Sequence, residues 1–156
     1  MFGVYRVYGV LRKIWRTRWM KRLHWRLLWS ANATFMCGIT GVVRTEDGRV
    51  LLLRHRFWPD GRQWGFPTGY AKKGERHEDT IAREVREETG LTVEVGRLLQ
   101  VNSGYRLRIE IIYEAVLRGG LESLALDPRE ILEARLFALD ELPEAIQPAH
   151  RLLARL

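Results

Sequence analysis

Three carboxylates in the stretch GYAKKGERHEDTIAREVREETGL, residues 69–91, stand at a spacing that suggests a shared partner. Glu84, Glu87 and Glu88 fall at i, i+3 and i+4, so a helix would line them along one face, where like charges repel. A divalent cation reverses the sign of that effect, because hard ions such as Mg²⁺ seek carboxylate oxygens. A bare Glu-x-x-Glu-Glu is more often a solvated acidic face. The residues around it decide against that reading.

Gly69 is followed by five residues and Glu75, then by seven residues and Arg83-Glu84-Val85, then by Glu87-Glu88 and Gly90-Leu91. Nine specified positions within 23 residues are filled, and the pattern resembles the signature of the Nudix hydrolases. The similarity extends over roughly residues 38–142 and leaves out the first 35. One common feature is altered: many members carry Gly-Gly before the signature, and here the pair is Thr68-Gly69. The resemblance implies an α/β/α sandwich, a mixed β-sheet flanked by helices, with the signature as a loop-helix-loop. It implies that Glu84, Glu87 and Glu88, with the Gly69 carbonyl, hold Mg²⁺, with Mn²⁺ as a substitute. Arg83 is then expected to pair with Glu75, and Glu84 to accept the proton of an attacking water. The implied activity is cleavage of a diphosphate linkage in a nucleoside diphosphate-linked compound, such as a nucleoside triphosphate or nucleotide sugar. A non-catalytic nucleotide sensor, or an RNA- or membrane-recruited binding protein on the same fold, is the alternative. Isopentenyl diphosphate isomerases share the fold but use a catalytic cysteine, and Cys37 lies too early in this chain to replace it.

The elements that must position these groups can be read in chain order. Gly38–Val43 is predicted as a strand, Glu46-Asp47-Gly48 as a turn, and Val50–Leu53 as a strand covered on both faces. The stretch RHRFWPDGRQWGFP reads as a loop; the family resemblance implies that it neighbours the substrate, which makes Arg54 and Arg56 candidate phosphate contacts. Trp58, Tyr70 and Tyr105 are candidates for stacking on a base, with core packing as the rival role. His55 is expected at the surface or as a satisfied hydrogen-bonding group. A helix over His77–Thr89 would bury Ile81, Ala82, Val85 and Thr89, stop at Gly90 and turn its glutamates outward. Strands follow at Thr92–Val95, Leu98–Val101, Tyr105–Leu117 and Ala134–Phe137, then a short helix over His150–Leu156. Glu110, Glu114, Glu130 and Glu133 are rivals for one further metal carboxylate, and Glu133 is favoured.

At 156 residues, with 46% hydrophobic and 29% charged residues, the chain has the make-up of one water-soluble globular domain. A single cysteine excludes an intramolecular disulfide and fits a reducing, cytoplasmic setting. The net charge of +7 is unevenly spread. Residues 1–44 hold nine Lys/Arg and no acidic residue, whereas residues 45–156 hold 17 basic against 19 acidic residues. The chain is therefore divided into a basic, Trp-rich segment at 1–37, predicted helical, and a Nudix-like domain at 38–156. Trp15, Trp19, Trp25 and Trp29 are interleaved with cations, and no uncharged run is long enough to span a membrane. Residues 1–35 fit docking on an anionic membrane surface, binding to nucleic acid, an organellar targeting role, or packing as a structural helix. A start at Met20 or Met36 would remove part of the segment. The oligomeric state stays open, a homodimer included.

Overall fold

The computed structural model describes residues 18–32, 34–104 and 106–156. It separates into two compact units that meet between Phe35 and Met36. In the first, helix α1 spans Arg18–Ala31. Its end is closed by Asn32, whose backbone N–H and side-chain amide both donate to the Leu28 carbonyl, at 3.0 and 2.6 Å. Residues 1–17 lie outside the described residues, and so does Tyr105. Among the described residues no helix is long and apolar enough to cross a membrane.

The second unit is a seven-stranded mixed sheet with helices on both faces. Its strands are β1 (Met36–Arg44), β2 (Val50–His55), β3 (Trp64–Gly65), β4 (Thr68–Tyr70), β5 (Thr92–Asn102), β6 (Arg108–Arg118) and β7 (Ile131–Phe137). The order is β3-β2-β1-β6-β5, with β4 also paired to β1 and β7 to β2. β1 and β6 run parallel over nine residue pairs from Met36↔Arg108 to Arg44↔Val116, and the other pairings are antiparallel. β5 takes in the strand-like stretches Thr92–Val95 and Leu98–Val101 as one strand, with register shifts on either side of Leu98. The short strand β3 forms inside the stretch that reads as a loop, and β4 forms directly after it, where the signature begins.

β2 shows why the sheet must be covered twice. Leu51 and Leu53 enter one apolar cluster, and Val50 and Leu52 enter the other, all four fully buried. Alternation along a strand sends successive side chains to opposite faces, so an unbroken apolar run demands two layers of cover. The first cluster is closed by helix α2 (His77–Thr89) through Ile81 and Val85. The second is closed by Ile146 and, at the end of helix α3 (Pro148–Leu153), Leu153 and Ala154.

α2 sits close to the sheet because β1 presents a glycine beneath it. A Cβ on Gly41 would lie 2.7 Å from Ile81 Cγ2. Replacing Ile81 by Ala should leave a cavity at this contact and lower stability by about 3 kcal/mol, measured by urea unfolding of both chains.

Candidate active site

α2 starts after Arg76, carries Glu78 and Asp79 in its first turn, and ends at Gly90. Gly90 has φ 72°, a left-handed conformation that glycine adopts freely, and its N–H bonds the Arg86 carbonyl at 2.9 Å. Thr89 is buried with its hydroxyl donating to the Val85 carbonyl at 2.5 Å. The next turn of chain caps the helix end: the N–H groups of Ala125 and Asp127 donate to the carbonyls of Thr89 and Glu88. The three glutamates are thereby held at the rim of the sheet.

Arg83 organises the acidic side chains before it. Its Nε donates to Glu75 Oε1 at 2.7 Å and its Nη2 to Glu75 Oε2 at 3.1 Å, a two-pronged contact. Nη1 donates to Glu84 Oε1 at 2.7 Å and to Glu87 Oε2 at 3.0 Å, while Nη2 also reaches the Tyr70 carbonyl at 3.2 Å. Glu75 receives further bonds from the Lys72 N–H and the Thr80 hydroxyl. Its carboxyl is held down at about 2, chiefly by Arg83 and next by the Lys72 N–H. The loop that precedes α2 is thus pinned to the helix by the Arg83 guanidinium and the Thr80 hydroxyl.

Glu84 and Glu88 meet a different environment. Burial pushes the Glu84 carboxyl up, against the opposing pull of Arg83. Glu88 is buried at 4% exposure, its Oε2 has no hydrogen-bond partner, and burial with repulsion from Glu84, Glu130 and Glu87 pushes it up to about 9. Glu84, Glu87, Glu88, Asp127, Arg129 and Glu130 line one small cavity. Glu130 lines this cavity, and the favoured Glu133 does not. Glu133 stands opposite Arg54 across β2 and β7, and its carboxylate lies 3.5 Å from Arg54 and also pairs with Arg135.

These residues fit a divalent cation. The orphaned, buried Glu88 oxygen has no hydrogen-bond donor, and the carboxylates that share its cavity are hard oxygen donors. Gly69 supplies the space: a Cβ there would lie 2.0 Å from Glu84 Oε1. Among the described residues no three His, Cys, Asp or Glu side chains form a finished metal cage, since Glu84 and Glu87 are turned to Arg83. Arg83 holds one oxygen of each, Glu84 Oε1 and Glu87 Oε2.

A larger cavity of about 1020 Å³ opens beside the glutamates and is lined by Glu84, Glu87, Arg83, Gly69, Tyr70 and Trp58, among others. Tyr70 and Trp58 are thus brought to the site. Arg54 and Arg56 are not: Arg54 faces Glu133, and Arg56 donates from Nε and Nη2 to the Pro128 carbonyl at 3.0 and 2.8 Å. Sequence reasoning missed Gln100, Asn102 and Gln147, which put amide groups on the cavity wall. It also missed His150, because only the folded chain brings α3 to Trp58 in the loop after β2. The Trp58 ring stacks on His55 at 3.9 Å and meets His150 edge-on at 5.4 Å. His55 is buried rather than at the surface, with no partner for its Nε2. His150 Nδ1 accepts the Phe66 N–H at 2.9 Å, which fixes the proton of the neutral ring on Nε2.

Residues 35–156 match the family model of the NUDIX domain, and the chain belongs to that family. It is 38% identical over 85 residues to a MutT-like protein of Streptomyces ambofaciens, covering 54% of this chain and 53% of that one. An ADP-ribose pyrophosphatase of Methanocaldococcus jannaschii is 30% identical over 113 residues, 68% of this chain and 63% of the relative. The chain thus spans little more than half the length of these relatives. Among solved structures, a NUDIX hydrolase from Nitrosomonas europaea superposes with a TM-score of 0.69 at 26% identity, covering 80% of this chain and 70% of that one. A MutT NUDIX hydrolase from Burkholderia pseudomallei gives 0.63 at 27% identity, covering 77% and 95%. Nudix hydrolases generally use divalent metals, in keeping with the acidic site.

The two histidines give the fold a testable pH dependence. Burial first, and His150 second, pushes His55 down to about 4; burial first, and Arg108 second, does the same to His150. An unfolded imidazole titrates near pH 6.5, so between there and pH 4 the unfolded chain binds more protons and acid lowers stability. Full stabilisation is present above that window. Comparing wild type with His150→Gln cancels the carboxylate contributions. Urea unfolding should show wild type losing about 2 kcal/mol relative to the variant between pH 7 and pH 5.

Proposed function

We propose that this chain is a Mg²⁺-dependent hydrolase that cleaves a diphosphate linkage in a nucleoside diphosphate-linked substrate. The observation that carries the reading is the buried, unpartnered Glu88 oxygen grouped with Glu84, Glu87 and Glu130 beside a nucleotide-sized cavity. Glu84, Glu87 and Glu88 would hold the ion, with Glu130 as an added carboxylate and the Gly69 carbonyl as a neutral donor. When bound, such an ion neutralises phosphate oxygens and lowers the pKa of a coordinated water.

The protein's own groups divide the remaining work. Glu75 and Arg83 position the loop and the helix relative to each other, so that Gly69 and the glutamates keep one geometry. Glu84 is the candidate to accept the proton of the attacking water, since it lines both cavities and its burial favours the protonated form. Lys72, which lies 3.6 Å from Glu87 and lines the larger cavity, supplies positive charge where phosphates would enter. Trp58 and Tyr70 offer ring faces or edges to a base, and Gln100, Asn102 and Gln147 offer amides to its polar rim.

Hydrolysis should be screened with Mg²⁺ over nucleoside triphosphates, nucleotide sugars, dinucleoside polyphosphates, ADP-ribose and capped RNA. One preferred substrate should emerge, its turnover abolished by chelation and reduced at least about a hundredfold in Glu84→Gln and in Glu87→Gln. A folded, Mg²⁺-binding protein that turns over none of these compounds would sink the proposal.

A further inference from the structure

Helix α1 exposes an unusual set of side chains for its length. Leu23, Trp25, Leu27, Leu28 and Trp29 are between 39 and 72% exposed, within a helix of 14 residues. Lys21, Arg22 and Arg26 are also exposed, and the helix contains no acidic residue. An isolated helix this short is marginal in water and gains stability chiefly by burying apolar surface. With five large apolar side chains exposed, its needs are unmet.

The arrangement around the axis narrows what could meet them. At 100° per residue, Leu23 and Leu27 mark one side of the helix, and Trp25 and Trp29 mark the other. Lys21 and Arg22 fall on either flank of the two tryptophans, with Arg26 beyond Arg22. A nucleic acid would engage the tryptophan and cation side by stacking and phosphate contact, leaving the leucine side uncovered. The interfacial layer of an anionic bilayer covers both. A helix about 10 Å across, sunk about 5–10 Å into that layer, turns one side to the acyl chains and leaves the other at headgroup depth. Leucine suits the first position. Tryptophan and cations suit the second, beside lipid phosphates.

We propose that α1 docks this protein on the surface of an anionic phospholipid bilayer, lying in the interface plane. The helix acts as a recruiting device separate from the glutamate site, so the proposal stands or falls independently of which diphosphate is cleaved.

The test is co-sedimentation of the full chain with vesicles of phosphatidylcholine alone and of phosphatidylcholine mixed with phosphatidylglycerol, at low and high salt. Binding should require the anionic lipid and weaken as salt screens the cations. The variant K21Q/R22Q/R26Q should bind on the order of a hundredfold more weakly, about fivefold for each charge removed. L23S/L27S and W25A/W29A should each weaken binding by about tenfold or more, because the bilayer is expected to use both sides of the helix. None of these residues belongs to the glutamate site, so thermal unfolding of the Met36–Leu156 unit and any hydrolytic turnover should match wild type. Equal binding to neutral vesicles, or no binding to either, would overturn the proposal. So would tight binding to single- or double-stranded RNA that survives L23S/L27S while vesicle binding is absent.

Discussion

The site depends on one guanidinium. Arg83 bonds Glu75, Glu84, Glu87 and the Tyr70 carbonyl, and so ties three acidic side chains and the preceding loop to one turn of α2. Arginine suits this position because its planar fork presents several donors in fixed directions and stays charged when half-buried. Lysine would offer the charge without the fork. The contact with Glu75 is two-pronged and shielded, with the two side chains 13 and 15% exposed, so it holds the loop between β4 and α2. Gly69 itself is fixed by the sheet, where β4 pairs it with Ile39 of β1, so the pinned loop joins a fixed strand to a fixed helix.

Charge is compensated unevenly across the helix. On the Arg83 side, Glu75 is fully paired and Glu87 has both Arg83 and Lys72 nearby. On the other side, Asp127 is bonded by Arg129 and lies well below the usual carboxylate range, chiefly through that contact. Glu88 has neither arrangement: its Oε2 is buried without a donor, and Glu84, Glu130 and Glu87 repel its charge. A buried carboxylate left in that state is costly unless protonated or matched by a positive ion.

Much of the positional logic was legible in the chain because it is local. The glutamate spacing, Gly90 as a stop and the burial of Ile81 and Val85 all lie within α2, where a period of 3.6 governs everything. Val50–Leu53 announced a doubly covered strand for the same reason, with a period of two and no polar residue to mark a wet face. Sheet pairing is not local, and there the reading ran out. His55, Trp58 and His150 form one aromatic group only because β2, the following loop and α3 converge, and no spacing in the sequence links them. The strands β3 and β4, two and three residues long, are too short for alternation to show, and their pairing with β2 and β1 defines them instead.

The choice between Glu130 and Glu133 illustrates the same limit at the site itself. Both lie near the start of β7, and as single residues they are chemically identical. Glu133 is paired in register with Arg54, so strand geometry commits its carboxylate to that cation and to Arg135. Glu130 precedes the strand in a turn, where its N–H donates to the Asp127 carbonyl at 3.2 Å and its own carbonyl accepts the Arg56 N–H at 2.8 Å. Asp127 in turn donates its N–H to the carbonyl of Glu88 at 3.1 Å. Two backbone hydrogen bonds therefore link the end of α2 to the residue that joins its glutamates. A carboxylate is delivered to this site by the cap of the helix rather than by the sheet, and the residue with the better sequence position for pairing is, for that reason, the one withdrawn from it.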